Sequence, residues 1–305
     1  MLRLAYLPCR AVSGAPSRSE CFTFAVIGRD EARTLPAVLA EAQAAARPGD
    51  VVCFVDSASS DDSSAIAREL GVAVVAAPPG KGRAIAAALA NCETRYLCCV
   101  DADLTQWTVS IPATLRAATV TSGAEMVVAA FSDGRRRVIM PTLYWPLIDA
   151  LLPEYGRQCD PTPLSGLRVI DTSVPIGPLP EGYGVETHLN LSFAAAGRNI
   201  AVTDIGAIRG PLRGYRNIPE MAGAVTQAIL DFAVSIDRLD PQLRPLWDVW
   251  AGEIIDVISG QPTPGAPDET FLAELAAVAS RPLPPAAIAP AALRPGTKSA
   301  RMAYW

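Results

Sequence analysis

Three strings in the first third of the chain carry residue types suited to a charged ligand. They are Val-Asp-Ser-Ala-Ser-Ser-Asp-Asp-Ser at 55–63, Pro-Gly-Lys-Gly-Arg at 79–83 and Val-Asp-Ala-Asp-Leu at 100–104. Asp56 ends an apolar run, where a carboxylate is costly unless water or a ligand satisfies it. It can accept hydrogen bonds from a base edge or a ribose hydroxyl, while Ser57, Ser59 or Asp61 caps the next helix. Lys81 sits between two glycines in a turn ahead of a helix, so its ammonium and the nearby N–H groups can face a diphosphate. The same tripeptide is also common in ordinary turns. Asp101 and Asp103 share one face of a strand-like geometry and repel unless a cation or a hydrogen-bonded ligand sits between them. A solvated acidic turn is the plainer alternative. In this order the strings describe a pocket for a nucleotide, its phosphates and a divalent cation.

The elements that must position these residues alternate. Phe22–Ile27, Val51–Val55, Val72–Ala76 and Tyr96–Val100 have strand character, and helical patterns come after Glu31, Asp62 and the Gly-Lys-Gly turn. Such spacing implies a parallel sheet with helices on both faces. Ligands then bind beyond the carboxyl ends of the strands, where Arg29, Asp56 and Asp101 fall. Further strands are expected at 126–131, 167–171 and 200–205, with helices at 141–152 and 186–195. From Glu220 onward, apolar residues recur at helical spacing through Val225, Ile229, Phe232 and Ile236, then Leu246, Val249, Ile254 and Ile258. A helix is expected near 270–278 within a proline-rich tail. Residues 1–20 read as a loosely ordered leader, 21–217 as the binding and catalytic domain, and 218–305 as C-terminal helices with that tail.

Composition narrows the function. The chain has 305 residues, half of them apolar, and a net charge of -5 without any long basic run, which argues against a nucleic-acid partner. No apolar stretch reaches the roughly 20 residues of a membrane span. The seven cysteines lack zinc or redox spacing and read as free thiols of a reducing cytosol, so a cytoplasmic location is expected. The C-terminal helices are apolar enough to close a homodimer or to cap an acceptor site, with self-association the preferred expectation.

Six ordered strings now support a resemblance. The three above are joined by Gly-Arg-Arg-Arg-Val at 134–138, Pro-Leu-Ser-Gly at 163–166 and Gly-Tyr-Gly-Val-Glu at 182–186. From 22 to about 217 the chain resembles glycosyltransferases of the GT-A fold, and within these the retaining glucosyl-3-phosphoglycerate synthases. The resemblance implies an α/β, Rossmann-like, mainly parallel sheet with flanking helices, plus a C-terminal helical extension. It implies transfer of a sugar from a nucleotide-diphosphate donor, expected to be a UDP-sugar, to a small polar acceptor with retention. Arg29, Glu31, Asp56, Lys81, Asp101 and Asp103 would hold the donor, with Asp103 the direct ligand of a Mg or Mn ion. Arg137, Tyr183 and Gly184 would meet the acceptor, and Leu164, Ser165 and Glu186 would line the reacting centre.

The sequence also departs from that pattern. No histidine comes after the last core strand between Ile205 and Asn217, and about Gly210 stands at the expected ligand position, so the cation is expected to be weakly held. Ile139 replaces a hydroxyl residue expected to meet an acceptor phosphate, which leaves the acceptor open and suggests a specialised metabolite. Asp30-Glu31 replaces an asparagine–glutamate pair. His188, the only histidine, reads as structural, and the arginine run as either a solvated loop or an anion contact. Trp107, Tyr144 and Trp145 read as core or rim packing. Inversion with Glu186 as general base remains an alternative stereochemistry. A sugar-phosphate nucleotidyltransferase and a degenerate nucleotide-sugar-binding protein remain alternative functions.

Overall fold

The computed structural model describes residues 21–134, 137–155, 158–210, 217–260 and 269–287. The expected leader, Arg135 and Arg136, and the prolines of 261–268 lie outside the described residues. The strands are β1 (Phe22–Gly28), β2 (Val51–Asp56), β3 (Ala73–Ala76), β4 (Tyr96–Asp101), β5 (Gln106–Trp107), β6 (Met126–Ser132), β7 (Arg168–Asp171) and β8 (Ile200–Arg209). They form one sheet in the order β3-β2-β1-β4-β7-β6-β8-β5. The helices are α1 (Leu35–Ala45), α2 (Ser63–Glu69), α3 (Lys81–Ala90), α4 (Ile111–Ser122), α5 (Trp145–Leu151), α6 (Val185–Ala195), α7 (Ile218–Ser235), α8 (Arg244–Ser259) and α9 (Glu269–Ala279). A π-helical turn, Met140–Tyr144, leads directly into α5.

Side-chain alternation explains the layers. Phe22, Phe24, Val26, Phe54 and Cys98 pack with Leu35, Leu39 and Leu115 on one face. Ala25, Ile27, Cys53, Val55, Leu97 and Cys99 pack with Ile85, Leu189 and Phe193 on the other. Because helices cover both faces, β1 and β4 are continuous apolar runs rather than alternating ones. The six described cysteines are all free thiols, as their spacing implied.

The sheet is mainly parallel, as expected, with β7 and the short β5 running the other way. β1, β2, β3 and β4 are mutually parallel and β6 pairs parallel with β8, but β7 is antiparallel to both β4 and β6. A four-residue strand carries no directional signal of its own, and its direction is set by where its flanking segments must go. The consequence is positional: the residues just before β7 arrive at the carboxyl edge of the parallel strands. The sheet also gains the short β5, paired antiparallel with an extended β8, which periodicity alone did not mark.

A third apolar cluster joins α5, α7, α8 and α9 with Leu191 and Ala194 of α6. Val225, Ile229, Trp247, Trp250, Ile254 and Ile258 are spent inside the chain, leaving Leu246 and Val249 exposed on α8. The C-terminal helices therefore extend the core. No helix of the described residues is long and apolar enough to cross a membrane.

A buried ion pair pins the start of β1. The Arg116 guanidinium of α4 meets the Asp50 carboxylate and lies 4.6 Å and 5.1 Å from the ring centroids of Phe22 and Phe24. Asp50 also accepts hydrogen bonds from the backbone N–H groups of Phe22 at 2.8 Å and Arg47 at 2.6 Å. Removing one partner of such a pair strands the other charge without compensation. Asp50→Ala is therefore expected to cost about 3–5 kcal/mol in urea denaturation. A loss below about 1 kcal/mol would show that the pair is solvated.

Candidate active site

The carboxyl ends of three neighbouring strands meet at Gly28. In register, Gly28 lies opposite Asp56 on one side, and Ile27 lies opposite Asp101 on the other. A Cβ on Gly28 would stand 2.5 Å from the Ala102 Cβ and 3.0 Å from the Glu31 Cγ, so only glycine lets the flanking loops close there.

The loops after β1 and β2 are knitted together. Asp30, at φ 58°, accepts hydrogen bonds from Ser60 N at 2.6 Å, Ser60 Oγ at 3.0 Å and Asp61 N at 3.3 Å. These contacts hold its carboxyl below the usual range, the Ser60 N–H contributing most. Ser63 Oγ receives the Glu31 N–H at 2.9 Å, and Thr34 Oγ1 donates to the buried Glu31 carboxylate at 3.3 Å. Asp56 accepts from Ser59 N at 2.7 Å and also pairs with Ser64 Oγ. Its carboxylate therefore orders the loop, a role the sequence had left to neighbouring residues. Arg29 is exposed and lies 3.7 Å from Asp30.

Lys81 is the centre of the arrangement. Its Nζ lies 2.8 Å from Glu186 Oε1 and 3.2 Å from Asp101 Oδ1, joining α3, α6 and β4. Glu186 is 3 % exposed, and the Lys81 side chain retains 21 %. Burial works against the ammonium, but the Asp101 and Glu186 carboxylates outweigh it and hold the Lys81 pKa above its ordinary value. The fourth wall is Gly166. A Cβ there would fall 2.4 Å from Lys81 Nζ and 2.7 and 2.8 Å from the two Asp101 oxygens. The antiparallel β7 brings Gly166 into this position.

The geometry corrects the expected role of the Gly-Lys-Gly turn. Lys81 is the first residue of α3, not a turn residue ahead of it. The two glycines clear a path for the segment at Pro180 and Glu181. A Cβ on Gly80 would meet Glu181 O at 2.5 Å, and one on Gly82 would meet Pro180 O at 1.7 Å. The Arg83 N–H is already bonded to Glu181 O at 3.1 Å and the Ala84 N–H to Gly80 O at 3.0 Å, so neither faces a phosphate. Charge from Lys81 itself remains available to the pocket.

Other residues singled out in the sequence have distinct partners. Asp103 falls in the turn after β4 rather than on the strand, because β4 ends at Asp101. Arg137 folds back on the end of β6, 3.4 Å from Phe131 O and 3.8 Å from Asp133, with its guanidinium 5.1 Å from the Phe131 ring. Burial and the Glu220 carboxylate push the Tyr183 phenol up, against the Lys81 charge and a hydrogen bond with Asn217. A Cβ on Gly184 would meet Ala224 O of α7 at 2.6 Å, so this glycine serves helix packing. Leu164 is half-buried, Ser165 is buried and its N–H binds Thr162 O at 2.9 Å. His188 is half-buried, and burial lowers its pKa, as a packed neutral imidazole requires. Tyr144 is buried in edge contact with Trp145, as core aromatics are.

Among the described residues no three His, Cys, Asp or Glu side chains gather as a metal group. Asp101 is engaged by Lys81. Residues 211–216, where the missing histidine ligand was sought, lie outside the described residues.

The chain is similar to known proteins. Residues 24–116 match the family described as Glycosyl transferase family 2. Solved structures of glucosyl-3-phosphoglycerate synthase from Mycobacterium tuberculosis align over 70% of this chain at 25% identity and TM-score 0.62. One, in complex with phosphoglyceric acid, is covered over 80% of its length, and another, with Mg2+ and uridine-diphosphate, over 79%. A third holds Mn2+, uridine-diphosphate and glucosyl-3-phosphoglycerate, and is covered over 80%. No curated protein matches by sequence. The protein is a glycosyltransferase of the GT-A fold. The family match spans residues 24–116 and so includes Asp56, Lys81, Asp101 and Asp103, whereas Gly166 and Glu186 of this glycosyltransferase lie beyond it.

Two side chains of the glycosyltransferase that motif reasoning passed over, Arg168 and Asn190, lie buried beneath the Pro163–Ser165 strip. Asn190 stands four residues after Glu186 on α6, a spacing that puts both on one helix face and was the available signal.

Gly166→Ala tests the geometry. The atoms it displaces are side-chain ends, so the fold is expected to survive with a melting temperature within a few degrees of the parent. The Lys81–Asp101 pair must open, and UDP-glucose turnover should fall by about tenfold or more. Unchanged turnover in the folded variant would remove Gly166 from the site wall. The raised pKa has its own sign: the Lys81 charge is fully present below the ordinary lysine value of 10.5 and is lost only as pH rises beyond it. Donor binding should therefore show no Lys81-dependent limb below about pH 10.

Proposed function

We propose that this glycosyltransferase moves a hexosyl group from a UDP-sugar to a small polar acceptor, with retention at the anomeric carbon. The carrying observation is the Lys81 ammonium between Asp101 and Glu186, walled by Gly166 at the carboxyl edge of the sheet. UDP-bound relatives of the same fold support the choice of nucleotide. Asp56 and the loop it orders would receive the nucleoside, with Arg29 and Glu31 of the adjoining loop on its flank. Asp101, half-exposed and turned toward Gly166, is placed to accept from sugar hydroxyls.

A Mg or Mn ion on Asp103 would supply Lewis-acid relief of the diphosphate charge. Lys81 adds a fixed positive charge that is already oriented before the donor arrives, so little reorganisation is needed as the phosphate departs. Retention would result from a front-side displacement in which the leaving phosphate takes the acceptor proton. The Glu186 carboxylate is occupied by Lys81 at 2.8 Å and nearly sealed from water, which favours a tethering role over that of a general base. Tyr183 and the Leu164–Ser165 strip would face the acceptor, with Arg137 released from Phe131 and Asp133 only if the acceptor is anionic. The buried Ile139 offers no hydroxyl for an acceptor phosphate, which supports a specialised, non-phosphorylated acceptor. Self-association would use the exposed Leu246 and Val249 of α8, and a monomer mass by light scattering would end that part of the proposal.

Thermal-shift titration with UDP, UDP-glucose and other nucleotide sugars, with and without Mg or Mn, reads donor choice directly. UDP compounds should raise the melting temperature, more so with the cation, and Asp103→Asn should abolish the cation-dependent increment while leaving the fold intact. Proton NMR of the sugar product is expected to show the donor's anomeric configuration. An inverted product would return Glu186 to the role of general base, and pyrophosphate release from UTP and a sugar phosphate would assign a nucleotidyltransferase instead.

A further inference from the structure

Arg168 presents an unusual case of burial. It is the first residue of β7, its exposure is 0 %, and among the described residues no carboxylate pairs with it. A cation taken fully out of water is expensive unless its donors are all met. Its partners are neutral acceptors, most of them gathered from one short stretch of chain. Nε reaches Ser165 O at 3.1 Å, while one terminal nitrogen reaches Ser165 O at 2.5 Å and Pro163 O at 3.5 Å. The other terminal nitrogen reaches Asn190 Oδ1 at 3.1 Å and Met126 Sδ at 3.9 Å.

Asn190 completes the arrangement. Its amide donates to Pro163 O at 2.7 Å while its oxygen accepts from Arg168, so the two side chains grip the same strip from adjacent directions. Thr162 Oγ1 donates to Ala129 O at 2.7 Å and anchors the upstream end to β6. The strip ends at Gly166, the residue packed against Lys81 and Asp101. Asn190 and Glu186 lie on one face of α6, so the helix that tethers Lys81 also fixes the wall opposite it.

We infer that Arg168 and Asn190 are positioning residues that hold the Pro163–Gly166 strip against the Lys81–Asp101 pair, and so set the shape of the reacting centre without touching a substrate. A planar guanidinium presents several donors in a rigid fork and can bind two carbonyls at once, whereas a lysine ammonium at the end of a flexible stem cannot reproduce that geometry. Charge alone is therefore insufficient at this position. The kinetic consequence rests on the donor reading above, while the consequence for strip order does not.

The test uses the full chain with Arg168→Lys, which keeps the charge and loses the fork. Hydrogen–deuterium exchange should show faster exchange in the peptide spanning 162–167, with the β1, β2 and β4 peptides unchanged. UDP affinity should stay within about threefold of the parent, because Asp56 and its loop are untouched, while kcat for UDP-glucose turnover falls about tenfold or more at nearly constant KM. Should Arg168→Lys fail to fold, Asn190→Leu, which removes the amide and leaves the arginine, is expected to show the same pattern in smaller degree. Parent-like exchange in the 162–167 peptide of a folded variant overturns the inference, as does a loss of UDP affinity equal to the loss of turnover. A parent that neither binds UDP nor turns over UDP-glucose sinks the donor reading alone, and the exchange measurement still decides the role of Arg168.

Discussion

The ammonium of Lys81 ties together, at their polar ends, three elements that also share an apolar cluster. It starts α3, its first partner lies in the first turn of α6, and its second ends β4. Two carboxylates crowded at a partly closed site would repel; one fixed cation between them turns that repulsion into a clamp. The cost of burying Lys81 is offset only while both partners are present. The pocket therefore has its electrostatic shape before any ligand enters, which is the property expected of a site that stabilises a departing phosphate.

The direction of β7 is the second constraint. Run antiparallel between β4 and β6, it delivers Pro163–Gly166 to the edge where β1, β2 and β4 end. A parallel β7 would have put that strip at the opposite edge, away from Asp101. The fully buried Arg168 at the head of the strand then anchors the strip from below. Fold and site are coupled here through one short strand and its first residue.

Much of this was legible in the chain. Asp56 and Asp101 could be placed at the ends of apolar runs because a buried strand has to stop where a carboxylate appears, and both do close their strands. The helical pattern from Glu220 onward was likewise readable, since Val225, Ile229, Ile254 and Ile258 repeat at helical spacing and are buried, whereas Leu246 and Val249 of the same pattern are exposed and α8 buries Trp247 and Trp250 instead. What was hidden depends on contacts between distant positions. The glycines around Lys81 looked like a phosphate turn because the sequence does not show that Pro180 and Glu181 cross them. The pairing of Asp50 with Arg116 spans 66 residues, and an arginine inside Leu-Arg-Val-Ile looks like a strand end until its neighbours are known. Asp103 slipped off the strand because one residue separates a strand's last hydrogen bond from the turn after it.

The crossing of Pro180–Glu181 over the glycine groove of α3 has a further consequence for how this chain tolerates change in length. The crossing locks the phase of α6, leaving only four residues between Glu181 and Glu186. One residue added there would turn the carboxylate about 100° around the helix axis, away from Lys81. The same residue added at the exposed Gly177 or Pro178, upstream of the crossing, would bulge outward and leave the angle untouched. Length variation in this region is thus partitioned by a single contact: free on one side of it, and forbidden on the other.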